Sequence, residues 1–252
     1  MIIDAPKDGF SSELRSLWQE AFGDADSFLN VFEKTAFSPD RCRCVMLDGR
    51  VASALYWFDT RCEGERIAYL YAIATRSVYR GKGVCTALMK DTHRHLTALG
   101  YTGAILVPGT ESLFAFYRRL GYKTCTYIRE ITALSTEPPL VLQRISAEEY
   151  EKHRRAFLPK GGVIQENESI RFLAEDACFY RTDGLLLAAK QTADFLYGIE
   201  LLGDTKRAGG VVRALGCKEG RFRTVGEEKP FTMYLSLGEK SVSPRYFGLA
   251  FD

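Results

Sequence analysis

The residues best suited to chemistry lie in the basic stretch 66–90, which contains no Asp or Glu. Within it, Arg80-Gly81-Lys82-Gly83 stands directly before an apolar pattern of helical spacing. The first N–H groups of a helix have no partner inside the helix and carry the positive end of its dipole, so acidic residues are favoured there. Because the chain supplies none at this start, we expect an external anion, and our working hypothesis is a phosphate-bearing cofactor.

The elements that position this turn follow from apolar spacing and from glycine and proline breaks. They are helices at 11–22 and 25–37, strands at 41–47, 50–62 and 67–75, a helix at 84–99, a strand at 101–107, a helix at 110–120 and a strand at 122–131. This order predicts an α/β (α+β) fold, a mixed and mostly antiparallel sheet flanked by helices. A two-residue hairpin at Asp48-Gly49 would set Cys44 opposite Ser53 and Cys42 opposite Leu55.

A domain boundary is expected at Ser135-Thr136-Glu137-Pro138-Pro139, because consecutive prolines stop both helix and sheet. Residues 1–134 and 140–252 would then form two domains. For the second and smaller α/β domain, the pattern predicts helices at 147–157 and 208–215 and strands at 177–181, 185–190, 195–202, 221–225, 231–237 and 246–251.

The composition limits the kinds of partner and the location that we expect for the protein. A net charge of +2 and a pI near 8.1 argue against a nucleic-acid partner. No apolar run reaches the roughly 20 residues that span a bilayer, and the first residues lack a signal-peptide profile, so we expect a cytoplasmic protein without membrane contact. Seven scattered cysteines and three histidines predict reduced thiols and no metal site. His93 and His95 are expected on a solvated helix face, without a catalytic role.

The two halves of the chain share a short repeat. Residues 70–73, Leu-Tyr-Ala-Ile, match residues 196–199, Leu-Tyr-Gly-Ile, and residues 80–88 lie over 207–215 with one extra residue in the second connecting loop. Strand, glycine turn and helix also recur by chance in mixed α/β chains, so chance remains the alternative to a degenerate duplication. The second copy places Val212 where the backbone would have to approach a phosphate, so any active half is the first.

These residues resemble the GNAT superfamily of N-acetyltransferases over roughly residues 1–132. The family's cofactor signature, Arg or Gln, two residues, Gly, one residue, Gly or Ala, is met from Arg80 onward, with Cys85 in place of the final small residue. Residues 116–122, Phe-Tyr-Arg-Arg-Leu-Gly-Tyr, look like the end of the family's fourth helix, and Thr110 stands where the family often has Asn. A single motif of this kind is common, whereas both in the right element order carry the resemblance. Residues 140–252 would then be a degenerate GNAT-like domain of related topology that packs against the first and shapes the acceptor side.

The resemblance implies acetyl-CoA as the acyl donor. Its pyrophosphate would lie at the amides of residues 81–86, and its pantetheine arm would pair with the edge of the third strand. The resemblance also places the acceptor pocket beside the first two helices. The expected cofactor-binding residues are Ile73, Ala74, Thr75, Arg80, Gly81, Lys82, Gly83, Val84, Cys85, Thr86 and Thr110.

Acyl transfer to an amine needs a neutral amine, a donor for the developing oxyanion and an acid for the departing thiolate. By resemblance, the donor is a backbone N–H at Ile73 or Ala74, and the catalytic acid is Tyr117. Without the resemblance, Tyr117 reads as a core aromatic residue that shares a helix face with Leu113 and other apolar neighbours.

The general base is not identified, because the Glu that many family members carry at or beside the positions of Tyr71 and Ala72 is missing. The open candidates are Asp59 or Glu111 acting through water, the terminal carboxylate of Asp252, and an amine that arrives already neutral.

The leading interpretation is therefore an acetyl-CoA-dependent N-acetyltransferase that acts on a primary amine of a small molecule or a peptide. The alternative is a non-catalytic acyl-CoA-binding or regulatory module, which the missing Glu favours. A nucleotide-binding protein is disfavoured, because the glycine turn lacks a Gly-Lys-Ser/Thr ending. The acceptor amine, and the choice between monomer and homodimer, stay open.

Overall fold

The computed structural model describes residues 1–251 and groups the chain into two compact units. Unit 1 comprises residues 1–123 and 234–242, and unit 2 comprises residues 124–233 with those from 243 onward. The division precedes the expected linker, because the strand that follows residue 123 pairs within unit 2. Functional domains at 1–134 and 140–252 stay a prediction.

Unit 1 contains a mixed, mostly antiparallel sheet with helices against it, as the sequence predicts. Strands β1 to β4 pair antiparallel in chain order, and β4 pairs parallel with β5. The elements are β1 (Ile2–Asp4), α1 (Ser12–Phe22), α2 (Asp26–Thr35), β2 (Cys42–Leu47), β3 (Arg50–Cys62), β4 (Glu65–Thr75), α3 (Val84–Ala98), β5 (Gly103–Leu106) and α4 (Glu111–Arg119). Gly23, in the left-handed conformation at a φ of 76°, ends α1 and allows the turn into α2.

Neighbouring residues of β3 show which helices cover each face of the sheet. Tyr56 packs against Trp18 of α1, with ring centroids 5.3 Å apart. Trp57 points to the other face, where its ring lies 5.9 Å from that of His95 on α3. Successive strand residues face opposite sides, so α1 and α3 lie on opposite faces of the unit 1 sheet.

The expected register of the first hairpin is wrong by one residue. Cys44 stands opposite Ala54, not Ser53, and Cys42 stands opposite Tyr56, not Leu55. A register shift between Val45 and Met46 inserts one extra residue into β3. The Asp48-Gly49 turn itself is as expected, with both residues at positive φ.

Unit 2 is a second α/β arrangement, with strand order β7-β9-β10-β11-β12-β6. Its elements are β6 (Lys123–Leu134), β7 (Gln143–Ile145), α5 (Ala147–Phe157), β8 (Ile164–Gln165), α6 (Glu168–Ala174), β9 (Cys178–Thr182), β10 (Leu185–Gln191), β11 (Phe195–Gly203), α7 (Ala208–Ala214), β12 (Glu219–Val225) and β13 (Lys229–Ser236). The first residue of β6 and the last three of β13 belong to unit 1. Short elements such as α6 and β7 are not predicted by the sequence pattern.

The strand expected at 246–251 is not formed. Residues 246–250 are buried, but their ladder pairing is a single bridge between Tyr246 and Gly162. An apolar run reports burial, and it does not report whether a neighbouring strand is available for hydrogen bonding.

The two units repeat one local topology around β4 and β11. Each of these strands pairs antiparallel with its predecessor and parallel with its successor. Each also has a register shift against the preceding strand, at residues 72–73 in β4 and at Ile199 in β11. A 3-10 turn then leads into a helix in both, Ser77–Tyr79 before α3 and Thr205–Arg207 before α7.

Candidate active site

The turn before α3 is shaped as the sequence predicts for an anion site. Gly81 and Gly83 adopt φ values of 72° and 77°, and nothing lies within 4 Å of a Cβ built on either residue. The first intrahelical bond at this end is donated by Ala87 to the Gly83 carbonyl at 3.0 Å. No side chain caps the helix and no acidic residue lies in its first turn. The amides of residues 84–86 therefore precede the hydrogen-bond ladder without a carboxylate at the helix start.

Two basic side chains flank the turn, as expected. Arg80 donates from Nε to the Thr75 carbonyl at 3.0 Å, which ties the turn to the end of β4. The Lys82 ammonium lies 5.9 Å from the centre of the Tyr79 ring. Both side chains are exposed, so positive charge is accessible beside the helix start.

Strand β4 departs from regular pairing beside this turn. Its ladder with β5 runs from Ile67 to Tyr69 and stops there. Opposite β3, a bulge at residues 72–73 faces Leu55, and Ala72 has a φ of 47°. A non-glycine residue in this region costs on the order of 1 kcal/mol or more and is a common mark of a functional site. The predicted pantetheine edge, at Ile73, Ala74 and Thr75, lies at and just after this bulge.

Three side chains from different elements lie close together at the start of α3: Tyr117, Cys85 and Thr75. Burial raises the pKa of the Cys85 thiol from 9.0 to about 11, opposed by a hydrogen bond from Thr75. Burial also raises the pKa of Tyr117 well above its ordinary value of 10.0, and the neighbouring Cys85 adds to the rise. Tyr117 is thus a protonated phenol at neutral pH, placed beside the predicted cofactor turn. Cys85 stays a neutral thiol there.

Within α4, Tyr117 is the buried side chain. Leu113, expected on the same buried stripe, is 36% exposed. Phe114 and Phe116 of the same helix are half-buried, so Tyr117 is the most deeply buried side chain of α4. Thr110 occupies the N-cap position of α4, where its hydroxyl lies 2.9 Å from that of Ser112. Its role in cofactor binding stays a prediction.

An apolar recess adjoins the β4 bulge on the α1 face, the side where the acceptor is expected. Trp18 is one of its lining residues, with its ring 5.7 Å from those of both Phe22 and Tyr71. The recess is lined by Leu17, Trp18, Phe22, Ala54, Tyr56, Ala72 and Ala74.

The expectation of a solvated His93 is wrong. Its Nε2 lies 2.8 Å from the hydroxyl of Tyr122, a fully buried residue whose ring is 5.8 Å from that of Tyr117. Burial lowers the pKa of His93 from 6.5 to about 4, so the ring is neutral at pH 7. Sequence spacing missed this pair because it joins α3 to the residue directly before β6.

Asp59 is poorly placed as a base. Its Oδ1 accepts from Arg66 Nη2 at 3.0 Å and from the Tyr101 hydroxyl. It stands opposite Ala68, which is roughly 13 Å along the strand from Ala72 at about 3.3 Å per residue. The terminal residue Asp252 lies outside the described residues, so that candidate stays a prediction.

The corresponding helix start in unit 2, that of α7, has a carboxylate beside it. Glu137, in the expected linker, accepts a hydrogen bond from the Gly210 amide at 3.0 Å at the start of α7. Gly210 corresponds to Gly83 in the repeat. A carboxylate of the chain itself therefore stands at the α7 start, whereas α3 has no acidic residue in its first turn.

Comparison with known proteins agrees with this geometry. Residues 3–125 match the model of the acetyltransferase (GNAT) domain. The chain therefore contains a GNAT acetyltransferase domain and is an enzyme of the acyltransferase class. Such domains transfer acyl groups to small-molecule or peptide acceptors. A comparison with curated protein sequences returns no match.

Three solved structures share the fold over most of the chain. A GCN5-related N-acetyltransferase from Kribbella flavida aligns with a TM-score of 0.73 and 16% identity, covering 94% of this chain and 72% of that one. One from Anabaena variabilis gives 0.70 and 13%, covering 94% and 73%. Eis1 from Mycobacterium abscessus gives 0.68 and 13%, covering 94% and 74%. At these identities the likeness is one of fold.

Residues 1–251 contain neither a cluster of metal-ligating side chains nor a helix that could cross a membrane. No group of three or more His, Cys, Asp or Glu side chains in this range is arranged to hold a metal ion. None of the helices described is both long enough and apolar enough to cross a membrane. All seven cysteines are free thiols.

Proposed function

We propose that the protein is an acetyl-CoA-dependent N-acetyltransferase that acts on a primary amine by direct attack. One observation carries the proposal. Tyr117, which is protonated, lies beside the start of α3, and α3 has no acidic residue in its first turn. The residues present fit CoA, since Gly81 and Gly83 leave open space above a backbone flanked by Arg80 and Lys82. The activated thioester of acetyl-CoA supplies the acetyl group.

In this proposal the chain contributes position, charge and one proton. Amides of residues 81–86 hold the pyrophosphate, and the β4 edge after the bulge pairs with the pantetheine arm. A backbone N–H at Ile73 or Ala74 donates to the developing oxyanion, which is worth a few kcal/mol when preorganised. The amine enters on the α1 face beside the apolar recess. Tyr117 donates its proton to the departing thiolate.

In this scheme the amine reaches the site neutral or loses its proton through water to a carboxylate such as Glu111, because Asp59 is held by Arg66 and Tyr101. An amine of pKa about 10.4 is neutral in roughly one molecule in two thousand at pH 7. Turnover should therefore rise with pH up to the pKa of the amine, and Tyr117 stays protonated across that range.

We also propose that residues 140–252 are a degenerate GNAT-like domain that does not take the cofactor. The shared topology of β4 and β11 supports a common origin. Glu137 at the Gly210 amide supports the loss of cofactor binding, because a carboxylate there repels a phosphate.

The test is a panel of primary amines incubated with acetyl-CoA and the protein, with thiol release and acetylated amine both quantified. Equal amounts of the two products support acetyl transfer to the amine, and the absence of ping-pong kinetics and of an acyl-enzyme without amine supports direct attack. CoA binding without release on any amine would favour the non-catalytic acyl-CoA-binding module. Thiol release that does not depend on amine would indicate hydrolysis and contradict the proposal.

A further inference from the structure

One face of α1 carries polar residues that meet a buried arginine at the end of β4. Glu13, Ser16 and Glu20 are spaced three and four apart, which places them on one side of the helix. The Arg76 side chain is only 6% exposed. Its Nη1 donates to Glu20 at 3.0 Å and to Ser16 at 3.3 Å, and its Nη2 donates to Glu13 at 3.1 Å. Its Nε donates to the Val51 carbonyl at 2.8 Å.

Glu20 connects this cluster to the backbone before the cofactor turn. One of its oxygens accepts from Arg76, and the other accepts from the Ser77 amide at 2.7 Å. The bond from Ser77 is the main reason that the pKa of Glu20 lies below its usual value. Ser77 begins the 3-10 turn that leads directly into Arg80-Gly81-Lys82-Gly83.

The helix that holds this turn also borders the apolar recess. Leu17 and Trp18 lie on the recess side of α1, between Ser16 and Glu20 in the sequence. One helix, α1, therefore contacts both the backbone that leads to the proposed pyrophosphate site and the recess on the proposed acceptor side.

We propose that Arg76 and Glu20 are positioning residues that fix the turn at 80–86 from α1 and so set the affinity for acyl-CoA. The inference rests on the proposed function. Neither side chain contacts the reacting atoms. Their effect passes through the Ser77 amide, which places the first residue of the segment that carries Gly81 and Gly83.

A purely structural ion pair would behave differently. It would stabilise the fold and leave the ligand affinity of the folded protein unchanged. A positioning pair changes the affinity for CoA and the mobility of the turn even where the melting temperature is preserved. The two cases are separated by binding and hydrogen exchange measured on folded protein.

The test uses Glu20→Gln, with Glu33→Gln as the matched control. The Ser77 amide and Arg76 donate to different oxygens of Glu20, and glutamine replaces one of those oxygens by an NH2 group, which cannot accept, so one of the two bonds is lost. Glu33 of α2 also pairs with α1, through Arg15, but has no bond to the turn. For E20Q we expect the Kd for CoA and the KM for acetyl-CoA to rise roughly three- to tenfold, the effect of losing one hydrogen bond, with kcat little changed. Amides of residues 77–86 should exchange faster. E33Q should match the parent in each measurement.

Arg76→Lys and Arg76→Met give a second series. Lysine keeps the positive charge but lacks the planar guanidinium group that donates to several partners at once. We therefore expect the CoA affinity of R76K to lie between those of the parent and R76M. CoA affinity and exchange in E20Q equal to the parent, or a loss as large in E33Q, would overturn the inference alone. A parent protein that binds no CoA would overturn the proposed function and this inference with it.

Discussion

Tyr117→Phe removes the proposed acid and leaves its ring in place. The substitution deletes one oxygen from a side chain that is 6% exposed, and the ring keeps its contacts with Phe116 and Tyr122, at centroid distances of 5.2 and 5.8 Å. A positioned general acid contributes about 10²–10⁴ in rate. We therefore expect kcat to fall by at least roughly 100-fold, with the Kd for CoA unchanged and the free energy of unfolding lowered by no more than about 1.5 kcal/mol.

Tyr122→Phe is the matched control, because Tyr122 is an adjacent buried tyrosine. Its hydroxyl bonds to His93 at 2.8 Å, and its removal leaves that ring without this partner. We expect Y122F to lose about 1–3 kcal/mol of unfolding free energy while kcat stays within a few-fold of the parent. Y117F should thus lose turnover and largely keep its stability, whereas Y122F should lose stability and largely keep its turnover.

The assay is steady-state thiol release with a saturating amine, alongside urea unfolding and calorimetric titration of CoA. Two results would refute the reasoning. One is a Y117F variant that keeps kcat within threefold of the parent. The other is a Y122F variant that loses as much turnover as Y117F without unfolding, which would indicate that the hydroxyl of Tyr117 has no special role.

The remaining predictions concern the turn, one histidine and the second unit. Gly83→Ala forces a residue with a side chain to adopt a φ of 77°. We therefore expect thermal unfolding to show about 1–2 kcal/mol lower stability, and we expect a higher Kd for CoA. An unchanged Kd would argue against contact between CoA and this turn. The pKa of His93 is about 4 in the folded protein and near 6.5 in the unfolded chain. The contribution of the neutral ring to the free energy of unfolding is therefore complete above pH 6.5 and is lost as the pH falls toward 4. It amounts to at most about 3 kcal/mol. Urea unfolding of His93→Gln should lack this part of the pH dependence, and parallel curves for the two proteins would contradict it. The Glu137 carboxylate at the Gly210 amide predicts one CoA bound per chain by calorimetry, and two equivalent sites would contradict a degenerate second unit.

Several elements could be predicted from sequence because local signals agree. The apolar spacing of α1 and α5, the glycine after α1 and the Asp48-Gly49 turn each act over a few residues, and the structure places them within one or two residues of expectation. The hairpin register could not be predicted, since the shift between Val45 and Met46 is set by packing of the sheet and has no local signal.

The candidate site divides in the same way. The turn at 80–83 and Tyr117 belong to two short motifs, and it is the occurrence of both in the right element order that marks them in the sequence. The bulge at Ala72 and the bonds from Arg76 to α1 depend on segments far apart in the chain. Residues 246–250 show the same limit, because their apolar character predicted burial correctly and strand pairing incorrectly.

In the proposed function, the turn before α3 holds the pyrophosphate of acyl-CoA. The test is calorimetric titration of the parent protein with acetyl-CoA, with S-acetyl-4′-phosphopantetheine, which lacks the adenosine but keeps a phosphate, and with S-acetylpantetheine, which lacks both; the second and third ligands differ only in the phosphate that this turn would bind. Bonds from amides and basic side chains to phosphate are charge-assisted, so acetyl-CoA should bind roughly 100-fold more tightly than S-acetylpantetheine, and S-acetyl-4′-phosphopantetheine should also bind more tightly than S-acetylpantetheine. Equal affinity for the ligands with and without the phosphate would contradict phosphate binding at this turn.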